Sequence, residues 1–263
     1  MTERSGYAPG TPSWIDLTTS DPQAAMAFYE ELFGWELERG APEFGGYTMC
    51  RLGGRRVAGI NGQPGPPGMP PSWVTYIATD DAAATARRVG EAGGRVMMGP
   101  MDVADQGRML LAADPTGALV GFWQPDQHTG AELVGEPGSM AWNELATTDL
   151  DLAQAFYAAV CGHTAERTDT GVQGPEYRTL HVDGEAVAGM IAMAGLYPEG
   201  VPPQWLPYFA VTDADGAASL VRTRGGTVHT EPADSGYGRW TMVTDPQGAG
   251  MTLLQRPAGW RSG

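Results

Sequence analysis

Hydrophobic and polar residues alternate from 14 to 18, WIDLT, which sets Ile15 and Leu17 on one face of a strand and Trp14, Asp16 and Thr18 on the other. The period then changes. Asp21-Pro22 supplies an N-cap and a first-turn proline, Ala25, Phe28, Tyr29 and Leu32 recur at helical spacing, and Gly34 offers a stop. Ile15 and Leu17 therefore face that helix, and Asp16 points to the concave side of the sheet the strand joins. The same text returns from 142 to 162, WNELATTDLDLAQAFYAAVCG, pairing Trp14 with Trp142, Asp16 with Glu144, Phe28-Tyr29 with Phe156-Tyr157 and Gly34 with Gly162. A repeat of this length is domain-sized, so the chain is a tandem duplication.

Between the copies, 47–52 and 55–60 read as strands joined through Gly53-Gly54, with a weak strand inside 36–41. The run 61–71, NGQPGPPGMPP, fits neither helix interior nor central strand and marks a module boundary. A strand at 73–78, a helix at 80–92 stopped by Gly93-Gly94, a strand at 95–98 and a hairpin of 109–113 with 118–123 across DPTG follow. The polar segment 124–139 is the connection. In the second half VAGI at 57–60 returns as VAGM at 187–190, PPSWVTY at 70–76 as PPQWLPY at 202–208, and DPTG at 114–117 as DPQG at 245–248. Four strand-helix-strand-strand-strand modules result, in domains 1–125 and 139–263 with 126–138 as linker.

Charge narrows the partners. The chain carries 31 acidic and 16 basic side chains, the latter all arginine, for a net charge of -15, so it repels nucleic acid and anionic lipid and favours solubility or cationic ligands. Cys50 and Cys161 occupy non-matching positions in the two copies, which leaves no disulfide framework or cysteine-rich metal site. The start of the chain lacks a basic segment followed by an apolar run, and no stretch reaches the roughly 18 apolar residues of a membrane span, so a cytoplasmic protein is expected.

The order strand, DP or DL turn, AFY helix, VAG strand and DPxG hairpin, met twice, resembles the vicinal-oxygen-chelate superfamily, which includes glyoxalase I, extradiol dioxygenases, fosfomycin-modifying enzymes and bleomycin-resistance binding proteins. The resemblance covers about 12–125 and 139–256 and is nearest to duplicated actinobacterial glyoxalase-like proteins often labelled hydroxylases, whose connector AELVGEPG stands here at 131–138. It implies an α+β fold: tandem glyoxalase-like domains, four βαβββ modules forming two curved mixed sheets around cavities, with helices outside. A duplicated chain of this kind implies a monomeric pseudo-dimer.

Enzymes of the superfamily hold a divalent metal. Carried over residue by residue, their first histidine falls on Trp14 and Trp142, their second at or beside Trp73 and Trp205, and their glutamate on Gly121 and Thr252. Hard divalent sites need carboxylates, imidazoles or several oxygens, so no metal is expected. Of the histidines, His128 lies in the connector and His163 after a helix end, while His181 and His229 fall on strands; exposed or locally bonded roles, a polar contact in one cavity and a site shared with Glu144 are all open to them. No dinucleotide or phosphate-binding motif appears, and no cofactor is expected.

Replacing ligands by tryptophans turns a chelating site into an aromatic-lined one. The expected lining is Trp14, Asp16, Tyr47, Met49, Trp73, Tyr76 and Trp123 in the first half, and Trp142, Glu144, Tyr177, His181, Trp205, Tyr208, Trp240 and Leu254 in the second. Single aromatics of this kind also serve as core. The inward carboxyls are more informative: Asp16 and Glu144 must be solvated, paired with an arginine or partly protonated. The expected function is metal-independent binding of a small, flat, partly apolar natural product or metabolite, in resistance or secondary metabolism. The alternatives are metal-free acid-base catalysis by Asp16 or Glu144, a metal-dependent lyase or dioxygenase, and a protein-interaction scaffold.

Overall fold

The computed structural model describes residues 2–41, 45–62, 70–169 and 174–257. After a short β1 (Thr2–Glu3), the first module is β2 (Pro12–Thr18), α1 (Pro22–Phe33), β3 (Glu36–Arg39), β4 (Thr48–Leu52) and β5 (Arg55–Ile60). The second is β6 (Ser72–Ala78), α2 (Ala82–Glu91), β7 (Arg95–Val103), β8 (Gly107–Ala113) and β9 (Leu119–Pro125), followed by β10 (Leu133–Val134) in the connector. The third is β11 (Met140–Thr147), α3 (Leu150–Cys161), β12 (Thr164–Arg167), β13 (Tyr177–Val182) and β14 (Glu185–Ala192). The fourth is β15 (Gln204–Ala210), α4 (Ala214–Thr223), β16 (Thr227–Val228), β17 (Ala233–Ser235), β18 (Gly238–Thr244) and β19 (Gly250–Gln255). Most of the 61–71 boundary, 63–69, lies outside the described residues. No described helix is long and apolar enough to cross a membrane.

Local chemistry sets the helix ends. Asp21, Asp81, Asp149 and Asp213 each accept a first-turn N–H, and α1 and α3 stop where Gly34 and Gly162 turn left-handed at φ 70° and 75°. The strand expected at 95–98 runs on to Val103. It is an edge strand, where Pro100 removes no partnered ladder bond from a neighbour.

Each half completes its own mixed sheet: β3-β4-β5-β2-β6-β9-β8-β7 in the first, and β12-β13-β14-β11-β15-β19-β18-β16 in the second, with β17 on β18. Antiparallel β2–β6 and β11–β15 join the two modules of each half. The hydrophobic layers follow another rule. Ile15, Phe28, Tyr29 and Phe33 share one cluster with Phe209, Val221, Met251 and Leu253, while Ile77, Leu110 and Phe122 share another with Leu145, Phe156 and Tyr157. Sheets thus form within halves and helices pack across them. Phe33 meets Phe209 with ring centroids 4.6 Å apart, and Thr75 Oγ1 donates to Asn143 Oδ1 at 2.9 Å where the sheets stand back to back. Burial of each such large side chain contributes roughly 2–3 kcal/mol, so neither half covers its outer face alone.

The connector is tied down rather than free. Ala131 N donates to Ser13 O, Glu132 N to Arg56 O, and Trp35 Nε1 to Gly138 O at 2.7 Å, while β10 pairs with β1.

Candidate functional site

Strand register brings the inward side chains into two equivalent cups. In the first, Trp14 stands beside Tyr76, Tyr76 beside Gly121, Asp16 beside Gly59, Met49 beside Gly59, and Met109 beside Trp123. In the second, Trp142 stands beside Tyr208, Tyr208 beside Thr252, Glu144 and Thr179 beside Gly189, and Trp240 beside Leu254. The glycine of each VAG motif has a steric purpose here. A Cβ at Gly59 would overlap the Tyr47 hydroxyl, and one at Gly189 the Tyr177 hydroxyl, so each tyrosine reaches the carboxyl by crossing bare backbone.

One indole and two phenols surround each carboxyl. Trp14 Nε1 donates to Tyr47 Oη at 2.9 Å, and Tyr47 and Tyr76 donate to Asp16, the former at a long 3.5 Å to Oδ2. Trp142 Nε1 donates to Tyr177 Oη at 3.0 Å, and Tyr208 and Tyr177 donate to Glu144. Burial pushes the Asp16 carboxyl up to about 7, against the opposing pull of the Tyr76 and Tyr47 hydrogen bonds. Glu144, 5% exposed, is pushed up to about 7 by the same cause, against Tyr208 and Tyr177. Burial, and then the adjoining carboxylate, hold all four phenols well above their ordinary value. Among the described residues no arginine pairs with either carboxyl, so partial protonation is the outcome, and near neutrality each group can donate or accept a proton.

Two expected lining residues lie elsewhere. Trp73 and Trp205 face the helix layer, where their indoles donate to Tyr29 Oη at 3.1 Å and Tyr157 Oη at 2.8 Å. Trp73 and Tyr76 are three residues apart, as are Trp205 and Tyr208, and period-two alternation sends such pairs to opposite faces. Trp123 joins Trp14 and Tyr76 in one buried cluster with Met49 at its edge, and Trp240 is half-buried. His181 stands beyond a bulge at Leu180/His181, and among the described residues it makes no hydrogen bond to Glu144.

His128, which the sequence set in the connector with its role open, lies inward against the first cup. Only 6% exposed, it meets Trp14 edge-on with centroids 4.4 Å apart and lies 5.5 Å from Trp123, while Trp123 Nε1 donates to its carbonyl at 2.6 Å. Burial, reinforced by Arg56, lowers its ring to about 4, so it is neutral at pH 7. Nothing in the polar string QPDQHTG signals this, because it is the clasped connector that carries the ring inward. His163 has a structural part, its Nε2 lying 2.6 Å from Gly10 O, and His229 Nε2 lies 3.3 Å from Thr244 Oγ1.

The positions where the resemblance implies metal ligands do not suit a metal. The Trp14 and Trp142 indoles are engaged as donors, a Cβ at Gly121 would overlap the Tyr76 ring, and Thr252 offers a lone hydroxyl. The described residues contain no group of three or more His, Cys, Asp or Glu able to hold an ion. Surface hollows of about 260 and 530 Å³, beside Arg88 and Cys161 and beside Asp21 and Arg39, hold neither carboxyl.

Comparison with known proteins agrees with this architecture. Residues 11–122 match the Glyoxalase/Bleomycin resistance protein/Dioxygenase superfamily. A Mycobacterium tuberculosis protein named "Putative glyoxylase CFP32" is 46% identical over 260 residues, 97% of this chain and 98% of that protein. The Streptomyces peucetius "Anthracycline biosynthesis protein DnrV" is 38% identical over 270 residues, covering 97% and 96%. Among solved structures, 2,2',3-trihydroxybiphenyl 1,2-dioxygenase from Sphingomonas wittichii superposes with TM-score 0.63 at 16% identity, over 97% of this chain and 99% of that one. The Mn(II)-bound glyoxalase from Novosphingobium aromaticivorans does so with TM-score 0.62 at 15% identity, over 94% and 83%. At such identities the structural likeness shows the fold alone.

Proposed function

The chain belongs to the glyoxalase/bleomycin resistance protein/dioxygenase superfamily, and on that footing we propose that it binds a small, flat, partly apolar and hydroxylated natural product without a metal. The observation that carries this reading is a buried carboxyl set between two tyrosine hydroxyls, with a tryptophan beside it, on the concave side of the sheet, where burial pushes it up to about 7. Such a carboxyl offers a donor or an acceptor as the ligand requires, and the indole and phenol rings supply stacking surface. Relatives named for anthracycline biosynthesis fit a place in secondary metabolism and support a polycyclic, hydroxylated ligand. Doxorubicin, a planar hydroxylated cation of the anthracycline class, is a suitable probe. Titration followed by tryptophan fluorescence should give saturable quenching, weakened roughly tenfold or more by Glu144→Gln through loss of a charge-assisted contact of about 1.5–3 kcal/mol. Absence of saturable binding would remove the reading.

The same near-neutral titration favours a second reading, acid-base catalysis. A carboxylate between phenols can take a proton from a carbon next to a carbonyl and return it to another atom of the same substrate. That isomerisation needs no co-reactant. Glu144→Gln would then leave binding in place and lower turnover roughly 100-fold or more.

A further inference from the structure

We infer that the two cups have parted in function: the first is filled from within by His128, and the second takes the ligand, with Thr252 and Tyr197 completing its polar wall. This rests on the binding reading above and assigns it to one place.

The two cups share a plan but differ in cover. Trp14, Tyr76 and Trp123 are 4%, 5% and 7% exposed, and the His128 ring lies edge-on against Trp14. Trp142 and Tyr208, the counterparts of Trp14 and Tyr76, are half-buried, whereas Leu254, the counterpart of Trp123, is 7% exposed as Trp123 is, and of the two carboxyl residues Asp16 is half-buried and Glu144 5% exposed. Leu254 stands in the repeat where Trp123 does, so the second half has a smaller side chain at the place from which the first half anchors His128.

The second difference lies in polar atoms left waiting. Thr252 is fully buried on the concave row beside Tyr208, yet its hydroxyl has no hydrogen-bond partner. The matching position of the first half is Gly121, which has no polar atom and receives the Tyr76 ring instead. Tyr197, in the segment after β14, also has a buried hydroxyl without a partner, its phenol raised by burial and then by the nearby Glu144 carboxylate. Buried hydroxyls normally find partners, and a ligand that supplies them recovers the lost bonds. The His128 nitrogens are unpartnered as well, but that ring already occupies the first cup, edge-on against Trp14. The ligand that fits the second cup is therefore an aromatic with at least two oxygens, one for Glu144 and its tyrosines and one for the Thr252 and Tyr197 hydroxyls.

The test is stoichiometry with the full chain and doxorubicin, read by native mass spectrometry and calorimetry. One equivalent should bind per chain. Thr252→Val and Tyr197→Phe, both near-isosteric, should weaken it roughly five- to tenfold, Asp16→Asn should change it less than twofold, and His128→Ala should add a second, weaker equivalent. Two equivalents on the unaltered chain, a single equivalent lost with Asp16→Asn, or no added equivalent with His128→Ala would overturn the division of labour while leaving binding itself in place. Failure of the unaltered chain to bind at all would remove the binding reading, and the inference with it.

Discussion

The hydroxyl of Tyr29 donates to Asp245 Oδ2 at 3.0 Å, joining the first helix of one half to the DPQG turn that closes the other. The relationship is reciprocal, since Tyr157 donates to Asp114 Oδ2 at 3.1 Å. Each aspartate spends its other oxygen on its own turn, where Asp245 Oδ1 accepts from Gln247 N and Ala249 N and Asp114 Oδ1 accepts from Thr116 N, Gly117 N and Ala118 N. Each tyrosine in turn accepts from an indole, Trp73 or Trp205. The AFY and DPxG motifs are thus two ends of one buried chain of hydrogen bonds, and each half holds an end of both.

Removing either hydroxyl strands an indole N–H and a carboxylate oxygen in the interior. Tyr29→Phe and Tyr157→Phe should each cost about 1–3 kcal/mol, a drop in Tm of roughly 2–10 °C for a chain of this size. Urea unfolding monitored by circular dichroism measures it. Unchanged midpoints would mean that the aspartates hold the halves together through their turns alone.

Stability should depend on pH with opposite signs at two places. Asp16 and Glu144 have ordinary values of 3.8 and 4.5 but titrate near 7 in the fold, so between about pH 4 and 7 the folded chain keeps protons that the unfolded chain has released. Stability therefore falls as pH rises through that window, by on the order of 3 kcal/mol per carboxyl. Asp16→Asn with Glu144→Gln should flatten the loss between pH 5 and 8. His128 runs the other way. Its folded value is about 4 against 6.5, so its contribution is full above pH 6.5 and lost as pH falls toward 4. Melting curves of the variants across pH 4–8 separate the two.

Gly189→Ala tests the cup without deleting any polar group. The added methyl would displace the Tyr177 ring, which also supports Trp142 Nε1. Doxorubicin affinity should fall tenfold or more while the melting temperature falls by only a few degrees, consistent with overpacking of about 1–3 kcal/mol. Retained affinity would show that Tyr177 does not face the ligand.

Each half buries its outer face against the other, so a monomeric pseudo-dimer is the expected state. Sedimentation at micromolar concentration should return a single 27.8 kDa particle. A stable two-chain species would defeat this expectation.

Indoles, a glycine and a threonine hydroxyl stand where the resemblance implies ligands, so elemental analysis should find no stoichiometric first-row metal and chelator should leave the melting temperature unchanged. One tightly held iron or manganese per chain would return the lyase and dioxygenase readings.

Local patterns determined much of this by themselves. Alternation in WIDLT and WNELA set Asp16 and Glu144 inward, the Asp-Pro and Asp-Leu starts and glycine stops bounded α1 and α3, and the repeat announced the duplication, because each depends on neighbours within a few residues. Tertiary structure alone decided the rest. That Tyr29 meets Asp245, that the VAG glycines are seats for tyrosine rings, and that the His128 ring packs against Trp14 and Trp123 all follow from contacts that the chain's local patterns do not contain. Whether sheets form within halves or across them cannot be read from the repeat, because both arrangements bury the same faces of the same elements. Only packing in three dimensions distinguishes them.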